Sequence, residues 1–212
     1  LILAAGSVQL GGSLQIATSA IPVIKGSSRL NLASFIQPLA GLSFVNEGGS
    51  SPQYTVGDGV TYSGASLTAG DSTMTLPSTA GLRVGQMVVQ ITGRLPLGTY
   101  IQEIVDGTTV ILSQNAISNL TSGNVLISGV GQITGTVSAV SSNLYSAVMG
   151  PLNGGLDLAG QNLQLDVAPV TVMGKSTIAP ITHSLSIDLG VMDTTNTGVG
   201  LIKTGEGLLR MG

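Results

Sequence analysis

The chain has 212 residues, of which 42% are hydrophobic and only 8% charged, with a formal net charge of −3, 31 glycines, one His and neither Cys nor Trp. An average soluble domain carries about 25% charge. This balance excludes a basic nucleic-acid footprint, a disulfide framework or thiolate metal site, and intrinsic disorder, which goes with low hydrophobicity and high net charge.

The first segment, 1–51, carries no charge before Lys25. Gly6, Ser7, Gln9, Gly11, Gly12, Ser13 and Gln15 interrupt its apolar residues, and a spanning helix needs about 20 predominantly apolar positions. No membrane span is therefore expected. Leu1-Ile2-Leu3-Ala4-Ala5 is too short for a signal core and lacks a basic flank. A short helical turn is expected at Asn31–Gln37. Asn46-Glu47-Gly48-Gly49-Ser50-Ser51-Pro52 reads as a linker.

The second segment, 52–130, has strand and turn chemistry in alternation. Ser72–Leu76, Gly85–Ile91, Tyr100–Val105, Thr108–Ser113 and Asn124–Ser128 read as strands. Asp106-Gly107 reads as a two-residue type I′ hairpin turn, which needs positive φ. The segment is expected to be a small antiparallel barrel or sandwich.

The third segment, 131–212, is punctuated by Gly and holds expected strands at Gln132–Val137, Gln161–Val167, Val170–Met173 and Ile181–Val191. A helical turn is expected at Ser141–Met149. Many short strands with tight turns fit an intertwined or β-helical oligomeric region. No charged residue occurs from Gly107 to Leu156. Protein surfaces usually carry about 25–35% charged residues, so much of each subunit is expected to be covered by other subunits.

Two stretches carry a resemblance. Pro151-Leu152-Asn153-Gly154-Gly155-Leu156-Asp157-Leu158-Ala159-Gly160-Gln161-Asn162-Leu163 resembles a signature of bacteriophage tail fibres, tail spikes and head fibres. Ala80-Gly81-Leu82-Arg83-Val84-Gly85-Gln86-Met87-Val88, with Leu95-Pro96-Leu97-Gly98-Thr99 and Asp106–Ser113, resembles a small β module of phage virion proteins and some bacterial surface proteins. The resemblance implies a virion structural protein, a homotrimer that contacts other virion proteins and a host-surface glycan. Strict short repeats, frequent in fibre shafts, are absent here. A capsid decoration or head-fibre protein, a polysaccharide-degrading spike enzyme and a bacterial surface adhesin or sheath subunit are the alternatives, the last of them extracellular.

The residues themselves supply an interface candidate. Leu152, Leu156, Leu158, Leu163 and Leu165 lie on short strands with a shared apolar face, and His183, Leu185 and Ile187 share the apolar phase of another strand. Burying one such aliphatic side chain stabilises by about 1.5–3 kcal/mol, so a few per subunit would hold a trimer. His183 is weighed as a metal ligand on a trimer axis. A single His per chain supplies no second ligand type, and the reading favours a hydrogen-bonded interface histidine. The carboxylates are scattered. A glycosidase would need two of them facing a cleft, lined here by Tyr54, Tyr62, Tyr100 or Tyr145, whereas Asp58, Asp106 and Asp157 read as turn residues beside Gly. No catalytic residue and no cofactor is assigned, and loss of assembly is expected from Leu156→Asp or Ile187→Asp.

Overall fold

The computed structural model describes residues 1–89, 93–151 and 154–212. Among them every regular element is a β-strand. The expected helical turns do not form: within Asn31–Gln37 the chain leaves a strand at Asn31 and turns at Ala33 and Ser34 with positive φ, and Ser141–Met149 runs from one strand through bends into the next.

The chain winds through three parallel sheets in a fixed rotation, called A, B and C here. The first circuit holds β1 (Ile2–Leu3) in A and β2 (Ser7–Gln9) in B; the second holds β3 (Val23–Lys25), β4 (Arg29–Asn31) and β5 (Pro38–Leu39) in A, B and C. The third begins with β6 (Leu42–Asn46) and β7 (Gln53–Thr55). Six antiparallel strands then intervene: β8 (Val60–Leu67), β9 (Thr73–Thr75), β10 (Val88–Val89), β11 (Ile101–Ile104), β12 (Thr109–Leu112) and β13 (Leu120–Ile127). The third circuit closes with β14 (Val130–Ile133) in sheet C. The fourth runs β15 (Thr136–Ser141), β16 (Ala147–Gly150), β17 (Gly155–Asp157); the fifth β18 (Leu163–Val167), β19 (His183–Ile187), β20 (Gly190–Met192); the last β21 (Leu201–Thr204), β22 (Leu208–Met211).

Strands before and after the antiparallel unit thus share the same sheets. β15 lies between β6 and β18, with Ala139 paired to both Phe44 and Val167. The first and third sequence segments are one body with one core.

Corners explain where strands were expected to continue. Gln132–Val137 alternates without a break, yet it is cut into β14 and β15. The cut falls at Gly135, where a Cβ would lie 2.0 Å from the Ala40 carbonyl oxygen. Ile181–Val191 is likewise divided between β19 and β20, with Asp188 and Leu189 at the corner. Val170–Met173 is not a strand; it holds only a bridge between Val172 and Lys175.

Like side chains stack from circuit to circuit. In sheet A the inward column reads Leu3, Ile24, Phe44, Ala139, Val167. In sheet B it reads Val8, Leu30, Tyr54, Met149, Ile187, Met211. The third circuit places Phe44 and Tyr54 together, and sheet C answers with Gly131: a Cβ there would lie 2.4 Å from the Tyr54 hydroxyl. The fourth circuit reverses the sizes, with Ala139 in A and Leu156 in C. Interior packing at crystal-like density requires this compensation.

The antiparallel unit is a nearly closed barrel, with order β10-β13-β8-β9-β12-β11 and a Met87–Tyr100 pairing that joins its two edges. It has its own core, including Met74, Ile101, Val110, Leu112, Val125 and Ile127. The strand expected at Gly85–Ile91 appears as β10; Gln90 and Ile91 lie outside the described residues. The Asp106-Gly107 hairpin forms, but not as a type I′ turn, because Gly107 has no positive φ. Instead Asp106 Oδ1 accepts the Thr108 N–H at 2.8 Å and the Thr108 hydroxyl at 3.1 Å.

The barrel is seated on sheet C. Gly155 pairs with Gly190 across β17 and β20. A Cβ at Gly155 would lie 3.3 Å from the Gly85 carbonyl oxygen, and one at Gly190 3.4 Å from Met87 Cε. Two adjacent residues without side chains let the barrel's 85–87 segment approach the sheet directly.

Candidate functional site

The interface expected from the leucines is corrected by their position. Leu156, Leu158, Leu163, Leu165, Leu185 and Ile187 are all at most 3% exposed and belong to the core of the single chain. They are covered by their own neighbouring circuits and need no second copy. Leu152 lies outside the described residues. His183 was expected to share the inward phase of Leu185 and Ile187, but the β19–β22 register shifts between His183 and Leu185. The extra residue, Ser184, is turned inward and donates its hydroxyl to the Ala168 carbonyl at 2.6 Å. His183 is left half-buried at the start of β19, where its carbonyl accepts the Ser146 hydroxyl at 3.0 Å.

Four of the aspartates serve turns. Asp71, Asp106 and Asp193 each sit two residues before a Thr and accept both its N–H and its hydroxyl. Asp193 also takes the Gly160 N–H at 2.9 Å and both donors of Thr197 at 2.7 and 3.0 Å, tying one circuit to the next. The Thr195 hydroxyl, foremost, holds its carboxyl far below the usual carboxylate range. The Thr73 and Thr108 N–H groups do the same, less strongly, for Asp71 and Asp106. Asp157 accepts from Ala159 N and from both donors of Thr194. Among the described residues no three His, Cys, Asp or Glu side chains gather as a metal site. Likewise, no described helix is long and apolar enough to cross a membrane. Of the tyrosines named for a sugar cleft, Tyr54 is sealed in the core and Tyr145 is exposed on a corner.

The A-to-B corner is the most distinctive surface. Its connections are short at 4–6, 26–28 and 205–207, but longer at 47–52, 142–146 and 168–182. The long ones fall on three consecutive circuits. The last two display Leu144 and Tyr145 (62% and 63% exposed), Met173 (93%), Ile178 (52%) and Ile181 (87%). Between them runs a groove of about 260 Å³, lined by Glu47, Val140, Ser142, Pro169 and Thr171 among others.

This corner is fastened by hydrogen bonds. Asn46, fully buried, donates its amide to the Tyr145 carbonyl. Asn143 Nδ2 donates to the Gly49 carbonyl at 2.8 Å, and Ser141 Oγ to the Asn143 carbonyl at 2.9 Å. Thr171 N–H donates to the Ser141 carbonyl at 2.9 Å. These bonds hold the 47–52 and 142–146 connections and the start of 168–182, while the apolar side chains face water. Ile181 begins and Met173 ends a strand expected from the sequence, and in the structure both lie in the 168–182 connection. The available signal was the spacing of Pro169, Gly174 and Pro180, which marks 168–182 as a connection.

No family model, curated protein or solved structure matches the chain.

Proposed function

We propose that the chain is a structural subunit of a bacteriophage-type virion, in a tail fibre, spike or connector. Its parallel winding serves as a β-helical shaft element, and its A-to-B corner is the surface that meets a second copy or another virion protein. The reading rests on the two phage-like stretches of sequence and on one observation of the fold: large apolar side chains displayed on the long corner connections of two successive circuits. Soluble monomers rarely expose contiguous apolar patches beyond a few hundred Å², and Met and Tyr are enriched at protein interfaces.

Two measurements test it. Mass spectrometry of purified particles should find the chain among the virion proteins; its absence from particles sinks the virion assignment. Light scattering should show the parent chain assembling at micromolar concentration. The Met173→Ser/Ile181→Ser variant should melt like the parent yet stay monomeric. A monomeric parent, or a variant that assembles equally well, removes the corner as the contact surface.

A further inference from the structure

A second feature lies at the seam between barrel and winding, far in sequence from the corner connections, and does not depend on the function proposed above. Beside the contact of Gly85 with sheet C is a cleft of about 60 Å³, walled by Arg83 and Val84 of the barrel and by Gln37, Gln132 and Asp157 of the winding. Its polar groups divide into two kinds. Gln37 is fully engaged: its Oε1 accepts the Ile16 N–H at 2.8 Å, and its Nε2 donates to the Ile16 and Pro38 carbonyls at 2.7 and 3.1 Å. Asp157 is engaged too, by Ala159 N at 3.0 Å, Thr194 N at 3.1 Å and Thr194 Oγ1 at 2.8 Å.

Arg83 and Gln132 are not. Among the described residues neither the Arg83 guanidinium nor the Gln132 amide has a hydrogen-bond or ion-pair partner. Arg83 is half-buried, and that burial lowers its pKa from the ordinary guanidinium value by desolvation. It nonetheless remains charged, with five N–H donors in a planar fork. The guanidinium and the amide thus both line the cleft with donors that no protein group uses.

We propose that this cleft receives one carboxylate group, forked on the Arg83 guanidinium with the Gln132 amide N–H as a further donor. Paired parallel N–H···O contacts are the strong mode for Arg with a planar carboxylate. The cleft is small but open to solvent, which suits a carboxylate head entering from outside. Asp157, the cross-strand partner of Gln132 on the sheet C wall, favours a singly charged guest over a divalent oxyanion. The carboxylate comes either from a small free acid or from a group pendant on a larger molecule, such as a uronic acid or a peptide C-terminus.

The direct test follows the Arg83 Nε–H resonance of the 212-residue chain during titration with sodium acetate, with sodium sulfate at matched ionic strength as the control. A saturable shift with acetate, and at least tenfold weaker response to sulfate, supports the assignment. No saturable acetate shift, or an equal response to sulfate, overturns it. Parallel titrations with glucuronate and with a short peptide bearing a free C-terminus separate the sources: tighter binding than acetate identifies a pendant group, and equal binding a free acid. Arg83→Gln and Gln132→Ala should each weaken acetate binding at least tenfold when read on neighbouring Val84 and Gly131 amides; unchanged binding in both variants overturns the proposal. Because the Arg83 resonance is read in the parent chain, a variant that fails to fold leaves the first titration decisive.

Discussion

Tyr54 is the largest fully buried side chain, and its hydroxyl is the one buried side-chain polar atom among the described residues with no partner. Burial pushes its pKa upward, so it stays neutral. An unsatisfied buried polar group costs about 1–3 kcal/mol. Tyr54→Phe is therefore expected to raise stability by about 1 kcal/mol or more, measured as a higher denaturant midpoint at unchanged slope. Gly131→Ala should do the reverse, because its Cβ would meet the hydroxyl, and the double variant should recover part of the loss. The aspartates give a pH dependence of known sign. Asp71, Asp106 and Asp193 have folded pKa values below the ordinary 3.8. Their contribution is present above that value and is lost as pH falls through the lowered folded values. The melting temperature should fall steeply below about pH 4, and Asp193→Asn should flatten that fall while lowering stability at neutral pH. An acid profile identical to that of the parent contradicts the turn role of Asp193.

At the scale of the element, sequence and structure agree on chemistry and part on connectivity. Leu163, Leu165 and Val167 do share one inward face, and β18 alternates as their spacing requires. What covers that face is the adjacent circuit of the same chain, so Leu165→Ala should cost about 2–5 kcal/mol at any protein concentration. Leu156→Asp and Ile187→Asp should prevent folding, seen as lost β-sheet circular dichroism, rather than yield folded monomers. Folded, monomeric Leu156→Asp would restore the interface reading. The alternation of Gln132–Val137 and of Ile181–Val191 revealed strands but hid their corners, since a chain can turn between sheets without breaking an apolar-polar rhythm. The bulge that displaces His183 is hidden for a related reason: it is set by pairing with β22, not by the local sequence. Parallel partners are chosen one circuit away, which is why 1–51 and 131–212 read as separate regions although Phe44 and Ala139 are direct neighbours. The corner patch left only a weaker trace, an irregular connection rich in Pro and Gly.

For the whole molecule, the accessible surface is 9575 Å². A compact monomer of 21.2 kDa is expected to expose about 9,100 Å² by size scaling. The single chain thus closes its own core. The column of opposite phase in sheet B runs Ser7, Arg29, Gln53, Val148, Ser186, Arg210, in which two arginines and three uncharged polar residues interrupt the apolar pattern around one valine. The barrel is an excursion from the third circuit whose two stems touch, since a Cβ on Gly129 would lie 2.0 Å from the Val56 carbonyl oxygen. Removing residues 57–128 and rejoining Val56 to Gly129 with a short Gly-Ser linker should leave the parallel sheets protected in hydrogen exchange. Exchange as fast as in the unfolded chain would show that the sheets depend on the barrel.

Those touching stems separate two kinds of change open to such a molecule. Lengthening it means adding a circuit, at about 4.8 Å of axial growth each, whereas decorating it means opening a corner and inserting a self-contained body there. Because the doorway at Val56 and Gly129 is no wider than an ordinary bend, the winding path does not depend on the length of the inserted body, and only the seat at Gly155 and Gly190 is cut to fit this one. Ornament can therefore be exchanged while the axis keeps its pitch, at the cost of that seat.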